Sequence, residues 1–259
     1  MQTIYAISGW NGSGKSMFQN YLAMALFEQG KTVEKLSFER TAIDEMIRDV
    51  LDCSYSEFEA LQEHRDEDVY EVFPVRFNFI TKLAMKAYKN FANKDNGKNK
   101  FSLDSYRKKM SSYFRSMIHR DVFVERMKHY IETSTKECIV IDDLYYRNEY
   151  DYLRSLDPEK YKVVYIVLFK KTCIPEWVKD GYSPTDPYDM NHIRLCYNTH
   201  SMDTEWCMVN QKLDYAVSND TTPDDLYEKA KYIAEGKTEQ KCLFSAFKPK
   251  TNDMINITK

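Results

Sequence analysis

"GWNGSGKS", Gly9 to Ser16, stands between a short apolar run and a longer run of helical period. Its spacing, Gly9-x-x-x-x-Gly14-Lys15-Ser16, fills every fixed position of the phosphate-binding loop pattern. Each residue type has a physical task. Successive backbone N–H groups from Gly9 through Asn11, Gly12, Ser13 and Gly14 can wrap inward around a phosphate, and glycines stand where a Cβ would block that turn. Lys15 adds a mobile point charge for the β- and γ-phosphates. The Ser16 hydroxyl is a hard oxygen ligand suited to Mg²⁺. The helix that begins there sets its positive dipole end beneath the anion. The context agrees: "TIYAIS" before the loop reads as a buried parallel strand. After it, "SMFQNYLAMALFEQG" places Phe18, Tyr21, Leu22, Met24 and Ala25 on or near one helical face, with Gly30 as a C-terminal stop. The reading predicts a site for a nucleoside triphosphate, with ATP and Mg²⁺ as cofactors.

Composition sets the frame around this loop. The chain has 259 residues, 43% of them apolar and 14% aromatic, enough for a full core in one large domain with insertions. Three of its seven glycines lie in this one loop. A net charge of −3 excludes a globally basic nucleic-acid binder and leaves room only for a local patch. The six cysteines are scattered without a C-x-x-C pair, which points to reduced thiols and a cytoplasmic setting. No signal peptide and no membrane contact are expected, because no apolar run nears the roughly 18 residues of a span.

Strands are expected at "KTVEKLSF", "ECIVIDD", "YKVVYIVLF" and "LDYAVSN", alternating with helices. Helices are expected at "AIDEMIRDVL" with Thr41 as cap, and at "SYSEFEALQEHRDEDV" with Ser56 and Glu59 as a capping box. After Pro74, "VRFNFITKLAMKAYKNF" resumes a helical period, and residues 93–100 form a polar loop. Ser102 caps "LDSYRKKMSSYFRSMI", followed by "RDVFVERMKHYIETS". "RNEYDYLRSL" and "TTPDDLYEKAKYIAEG" are later helices, the second capped by Thr222 with Pro223 in its first turn. The alternation predicts an α/β fold of the P-loop NTPase kind, a parallel sheet flanked by helices. Residues 1–38 and 136–236 form its core and 39–135 a large helical insertion that binds the acceptor. Residues 170–206, with three prolines and with Lys170, Lys171, Lys179 and Arg194, form a lid loop. Residues 237–259 are a tail of weak periodicity.

In such a sheet ligands gather at the carboxyl ends of the strands. The loop, Glu39–Arg40 and Asp142–Asp143 are then expected around one crevice. Of the two aspartates, one can hold the Mg²⁺ shell, a role assigned to Asp142 beside Ser16. The other can orient or deprotonate an acceptor hydroxyl. Arg107, Arg115 and Arg126 in the insertion are candidates to hold a phosphate-bearing acceptor, where guanidinium geometry suits an oxyanion.

Several segments then resemble one family. "CIVIDDLYYRNEYDYLRSL" is similar to the strand–turn–helix of phage-type deoxynucleoside monophosphate kinases, whose strand ends in Asp with an Asn-Glu pair beyond it. Here these are Asp143, Asn148 and Glu149. "RDVFVERM" resembles the segment before that strand, "THSMDTEW" the stretch that closes the lid, and "LDYAVSNDTTPDDL" the last strand and turn. With the loop, the resemblance covers both ends and much of the sheet, leaving residues 50–110 and the tail unmatched. It implies an ATP-dependent kinase, with Lys15, Asp142, Asp143 and Arg147 catalytic and Asn219 beside the adenine. The family carries Arg two residues after the strand's Asp, whereas this chain has Tyr145, with Arg147 displaced by two positions.

The expected activity is thus phosphoryl transfer to a nucleotide acceptor, foremost a (deoxy)nucleoside monophosphate. A related phage group phosphorylates a hydroxymethyl-pyrimidine base within DNA, so DNA stays open as an acceptor. A switch protein that binds ATP and transfers nothing is the reading from a different class. If the source is a phage, the setting is the host cytoplasm.

Overall fold

The computed structural model describes residues 1–9, 12–51, 54–63, 103, 107, 110–111, 114–170, 214–237 and 242–243. The described elements are β1 (Gln2–Gly9), α1 (Lys15–Glu28), β2 (Val33–Leu36), α2 (Phe38–Leu51), α3 (Tyr55–Glu63) and a π turn (Phe114–Ile118). They continue with α4 (Val122–Thr133), β3 (Cys138–Ile141), α5 (Arg147–Ser155), β4 (Tyr161–Phe169), β5 (Tyr215–Ser218), α6 (Pro223–Ala234) and β6 (Cys242–Leu243). The chain divides into two compact units, Met1–Phe38 with Met127–Lys259, and Glu39–Arg126.

The first unit is built on one sheet in the order β2-β3-β1-β4-β5-β6, with every neighbouring pair parallel. The fold is therefore α/β, with a parallel sheet flanked by helices. Both faces of a central parallel strand are covered, which is why "IYAI" and "CIVI" are continuous apolar runs and not alternating ones. On one face Tyr5, Ile7, Val140, Val164, Ile166, Leu168 and Val217 meet Phe18, Leu22 and Leu26 of α1 and Leu226, Ala230 and Ile233 of α6. Phe18, Leu22 and Leu26 recur every four residues and form one helical stripe, each contributing roughly 1.5–3 kcal/mol by burial. Burial pushes the Tyr5 phenol up to about 12, so it stays neutral in that core. On the other face Tyr150 of α5 packs on Tyr165 of β4, ring centroids 4.8 Å apart.

Local signals explain most helix starts, and long-range ones explain the exceptions. Thr222 accepts the Asp225 N–H at 3.2 Å, and Pro223 occupies the first turn of α6. Thr41, expected as a cap, lies inside α2, because that helix begins at Phe38. Phe38 can start it because the Asp143 carboxylate accepts its N–H at 2.6 Å. The capping box of α3 uses Ser54 and Glu57 instead of Ser56 and Glu59: Ser54 donates its N–H to Glu57 Oε2 at 2.9 Å, and Glu57 donates to Ser54 Oγ at 3.3 Å. The two-residue β6 falls in the tail of weak periodicity, and it extends the sheet beyond β5. The helix expected after Pro74, the loop 93–100, the Ser102 cap and all of the lid except Lys170 lie outside the described residues. Among the described residues no helix is long and apolar enough to cross a membrane.

In the second unit three carboxylates of α2, Glu39, Asp44 and Glu45, each hold an arginine. Arg107 donates Nε and Nη2 to the two oxygens of Asp44 at 2.7 and 2.6 Å. Arg115, in the π turn, donates Nε and Nη2 to Glu39 Oε1 at 2.9 and 2.7 Å. Its guanidinium also lies 4.9 Å from the centre of the Phe123 ring. The π turn is closed by the His119 N–H on the Phe114 carbonyl at 3.1 Å.

Gln19 and Lys15 are the buried polar residues of α1, and Gln19 is 4% exposed. Its amide donates to the carbonyls of Leu36 and Val140, at 3.0 and 2.7 Å, tying α1 to the ends of β2 and β3. Gln19→Leu keeps the volume and deletes both bonds, and should lower stability by about 1–3 kcal/mol. A urea midpoint that falls at unchanged slope is the expected record, and an unmoved midpoint would remove Gln19 from that role.

Candidate phosphate site at the carboxyl edge of the sheet

Because all strands run the same way, their carboxyl ends lie along one edge. The loop after β1, Ser37 after β2, Asp142 after β3 and Asn219 after β5 are brought to that edge. The strand order places β1 centrally, with β2 and β3 on one side and β4 to β6 on the other. A chain that winds both ways from a central strand opens its ligand crevice there.

The loop's shape rests on glycine. Gly9 has φ 145°, and a Cβ on it would stand 2.2 Å from the Leu168 carbonyl oxygen on β4. Gly14 has φ 93°, and its Cβ would stand 2.4 Å from Asn219 Nδ2. Side chains at either position would displace backbone or break a hydrogen bond. Asn219 is fixed there because Nδ2 donates to the Ser13 carbonyl at 2.8 Å. Asn11 and Trp10 lie outside the described residues.

Lys15 and Ser16 open α1. Lys15 is only 7% exposed, and its ammonium donates to the Gly9 carbonyl at 2.8 Å and lies 4.9 Å from the centre of the Tyr145 ring. Ser16 Oγ donates to Asp142 Oδ2 at 2.7 Å. The other oxygen of Asp142 accepts the Ser37 hydroxyl in a short bond. Asp143 is the helix-starting partner of Phe38, half-buried at the same edge. Arg147 sits at the start of α5, exposed, with Nε 3.3 Å from Asp151. Glu149, fully buried, accepts the N–H groups of Tyr145 and Tyr146 at 2.9 and 3.0 Å and so fixes the turn after β3. The loop, Ser16, Asp142 and Asn219 are thus brought together in the first unit. Glu39, Arg107, Arg115 and Arg126 belong to the second, where each is in an ion pair, Arg126 with Glu45 at 2.9 Å. Arg40 is half-buried in the first turn of α2.

The residues at the edge fit a triphosphate and a hard cation. Ser13 Oγ is buried in the loop with no hydrogen-bond partner, an orphan of the kind a bound oxyanion satisfies. One ammonium and the start of α1 supply positive charge at the same place. A serine hydroxyl beside one carboxylate is a sparse donor set. It matches Mg²⁺, which keeps waters and takes the remaining ligands from substrate phosphates. Among the described residues no group of three or more His, Cys, Asp or Glu gathers for a metal that needs an all-protein cage.

Sequence reasoning missed the support behind Asn219. Lys229 of α6, 7% exposed, donates to the Ser218 carbonyl at 2.9 Å and pairs with Asp225 at 2.7 Å. Asp225 also accepts a short bond from the Thr221 hydroxyl. The only signal for this in the sequence is the i,i+4 spacing of Asp225 and Lys229, which any exposed helix pair would share.

Burial works against the Asp225 carboxylate, but its bonds to Lys229 and Thr221 prevail and hold its pKa below the ordinary 3.8. A carboxylate with a lowered folded pKa contributes stability above its unfolded value and loses it as pH falls through the folded one. Thermal melts should therefore show an Asp225-dependent loss setting in below about pH 4. Asp225→Asn should melt lower at pH 7 and lack that acid step, and an identical acid profile would remove this clamp. No family model and no curated protein matches the chain, so function has to be argued from these residues.

Proposed function

We propose that the protein is a Mg²⁺- and ATP-dependent phosphotransferase of the P-loop NTPase kind whose acceptor is a nucleotide, foremost a (deoxy)nucleoside monophosphate. The observation that carries this is the arrangement of Lys15, Ser16 and Asp142 around a glycine-shaped turn at the end of the central strand. Lys15 brings one positive charge to the β- and γ-phosphates, and the amides of Gly12 to Ser16 add donors to the same anion. Ser16 and Asp142 hold the metal, and when bound Mg²⁺ neutralises phosphate charge during transfer. Asp143 stands one residue further along the same edge, where a carboxylate can orient an acceptor oxygen or take its proton. Arg147, exposed on α5, is free of burial constraints that would keep it from reaching an incoming phosphate, at the expense of its bond to Asp151. Residues 170–206 serve as the lid and Asn219 borders the nucleoside.

Arg107, Arg115 and Arg126 are assigned to the acceptor. Their ion pairs favour a second reading, in which the acceptor is a hydroxyl on a pyrimidine base within DNA. Such an acceptor needs no guanidinium taken from a carboxylate partner.

Lys15→Ala should leave the melting temperature within a few degrees and lower transfer by at least about a hundredfold, the scale for losing one charge-stabilising donor. Labelled ATP mixed with deoxynucleoside monophosphates and with hydroxymethylated DNA identifies the acceptor by which product carries label. Free phosphate as the sole product, at a rate indifferent to every acceptor, would replace the kinase by a nucleotide-dependent switch.

A further inference from the structure

Lys15 is held by an unusual partner. Its ammonium is buried between the Gly9 carbonyl, 2.8 Å away, and the face of Tyr145, whose centre is 4.9 Å away. The backbone that carries the ring is fixed by three N–H groups. Those of Tyr145 and Tyr146 both end on the buried carboxylate of Glu149. The preceding Leu144, fully buried, donates its N–H to the Ile7 carbonyl of β1 at 3.1 Å. The turn carrying Tyr145 is thus tied to the strand that leads into the phosphate loop and to the helix that follows.

We infer that Tyr145 is a positioning residue for Lys15, holding the ammonium at the phosphate loop before a triphosphate arrives; this rests on the loop being a triphosphate site. The physical reason lies in what an aromatic face does and does not do to a cation. The ring's quadrupole attracts the ammonium and limits the rotamers of a long flexible side chain. Unlike a carboxylate, it does so without cancelling the charge. Neither the carbonyl dipole nor the ring face cancels the ammonium's charge, and both order Lys15 before a phosphate binds. The quadrupole belongs to the ring and not to its hydroxyl, so phenylalanine should hold the ammonium as tyrosine does, whereas leucine fills the space without the quadrupole.

The test uses the full chain as wild type, Tyr145→Phe and Tyr145→Leu, with melts to confirm folding. A fluorescent ATP analogue with Mg²⁺ is the binding probe. Tyr145→Leu should bind it roughly three- to thirtyfold more weakly, the range of a partly desolvated cation–π contact, and Tyr145→Phe within about twofold of wild type. A second readout needs no nucleotide. The εCH₂ protons of Lys15, identified by their loss in Lys15→Arg, should lie upfield in wild type and Tyr145→Phe and return to the position of solvated lysines in Tyr145→Leu. Wild type that binds the analogue, with Tyr145→Leu binding equally well or Tyr145→Phe as weak as Tyr145→Leu, overturns the positioning role alone. An absent upfield shift does the same. Wild type that binds no triphosphate overturns the phosphate site and this role together.

Discussion

The carboxylate of Asp142 is the point on which the edge of the sheet depends. It is 3% exposed, and a buried carboxylate persists only where donors replace the water it has lost. Its donors are the hydroxyls of Ser16, at the start of α1, and Ser37, at the end of β2. The next residue, Asp143, takes the first N–H of α2, and the one after, Leu144, returns its N–H to β1. Three consecutive residues after β3 thus fasten the phosphate loop's helix, the exit from β2 and the central strand. Any rearrangement of β3 relative to β1 would leave a buried charge or a buried amide unpaired, which is a larger loss than any single apolar contact there could offset.

The opposite side of the loop is fastened from β5. Asn219 bonds the Ser13 carbonyl, and Lys229 bonds the carbonyl of the residue before Asn219. The loop is therefore bracketed by two strands, one on each side of β1, with Asp142, Asn219 and Lys229 buried in the brackets. At Gly14 the room that a Cβ would take is filled by the bracketing Asn219, and at Gly9 it is filled by the Leu168 carbonyl of β4. Lys15 and the described part of the loop, Gly12 to Gly14, are thus held by their neighbours in advance of any ligand.

Much of this was legible in the sequence, and the remainder was illegible for identifiable reasons. The loop and the five longer strands follow from local composition, since a glycine pattern and an apolar run carry their meaning within a few residues. The start of α2 does not, because it is decided by Asp143, 105 residues downstream of Phe38. The capping box of α3 was ambiguous for a different reason: "SYSEFE" contains two overlapping Ser-x-x-Glu pairs, and local chemistry ranks them equally. Glu149 is marked in the sequence only by the resemblance. Its task of closing the turn beneath Tyr145 depends on full burial, which spacing does not encode. The place of Tyr145 beside Lys15 was equally invisible, since 130 residues separate the ring from the cation it faces.

The arginines pose the remaining physical problem. Arg107 and Arg115 are each less than one-sixth exposed and donate twice to carboxylates of α2. Two donations per pair, forked onto both oxygens of Asp44 and onto one of Glu39, and partial burial put such pairs above the median surface ion pair, so they brace the second unit whatever else they do. A phosphate monoester carries close to two charges at neutral pH where a carboxylate carries one, and it offers three acceptor oxygens. An exchange of partner can therefore favour the phosphate, but only if the abandoned Asp44 or Glu39 regains water or another donor. Arg126 with Glu45 is about half exposed and meets that condition at once. The more exposed pair is thus the one that exchanges at least cost, and the two sheltered pairs set the conditions under which a charged acceptor could be held at all.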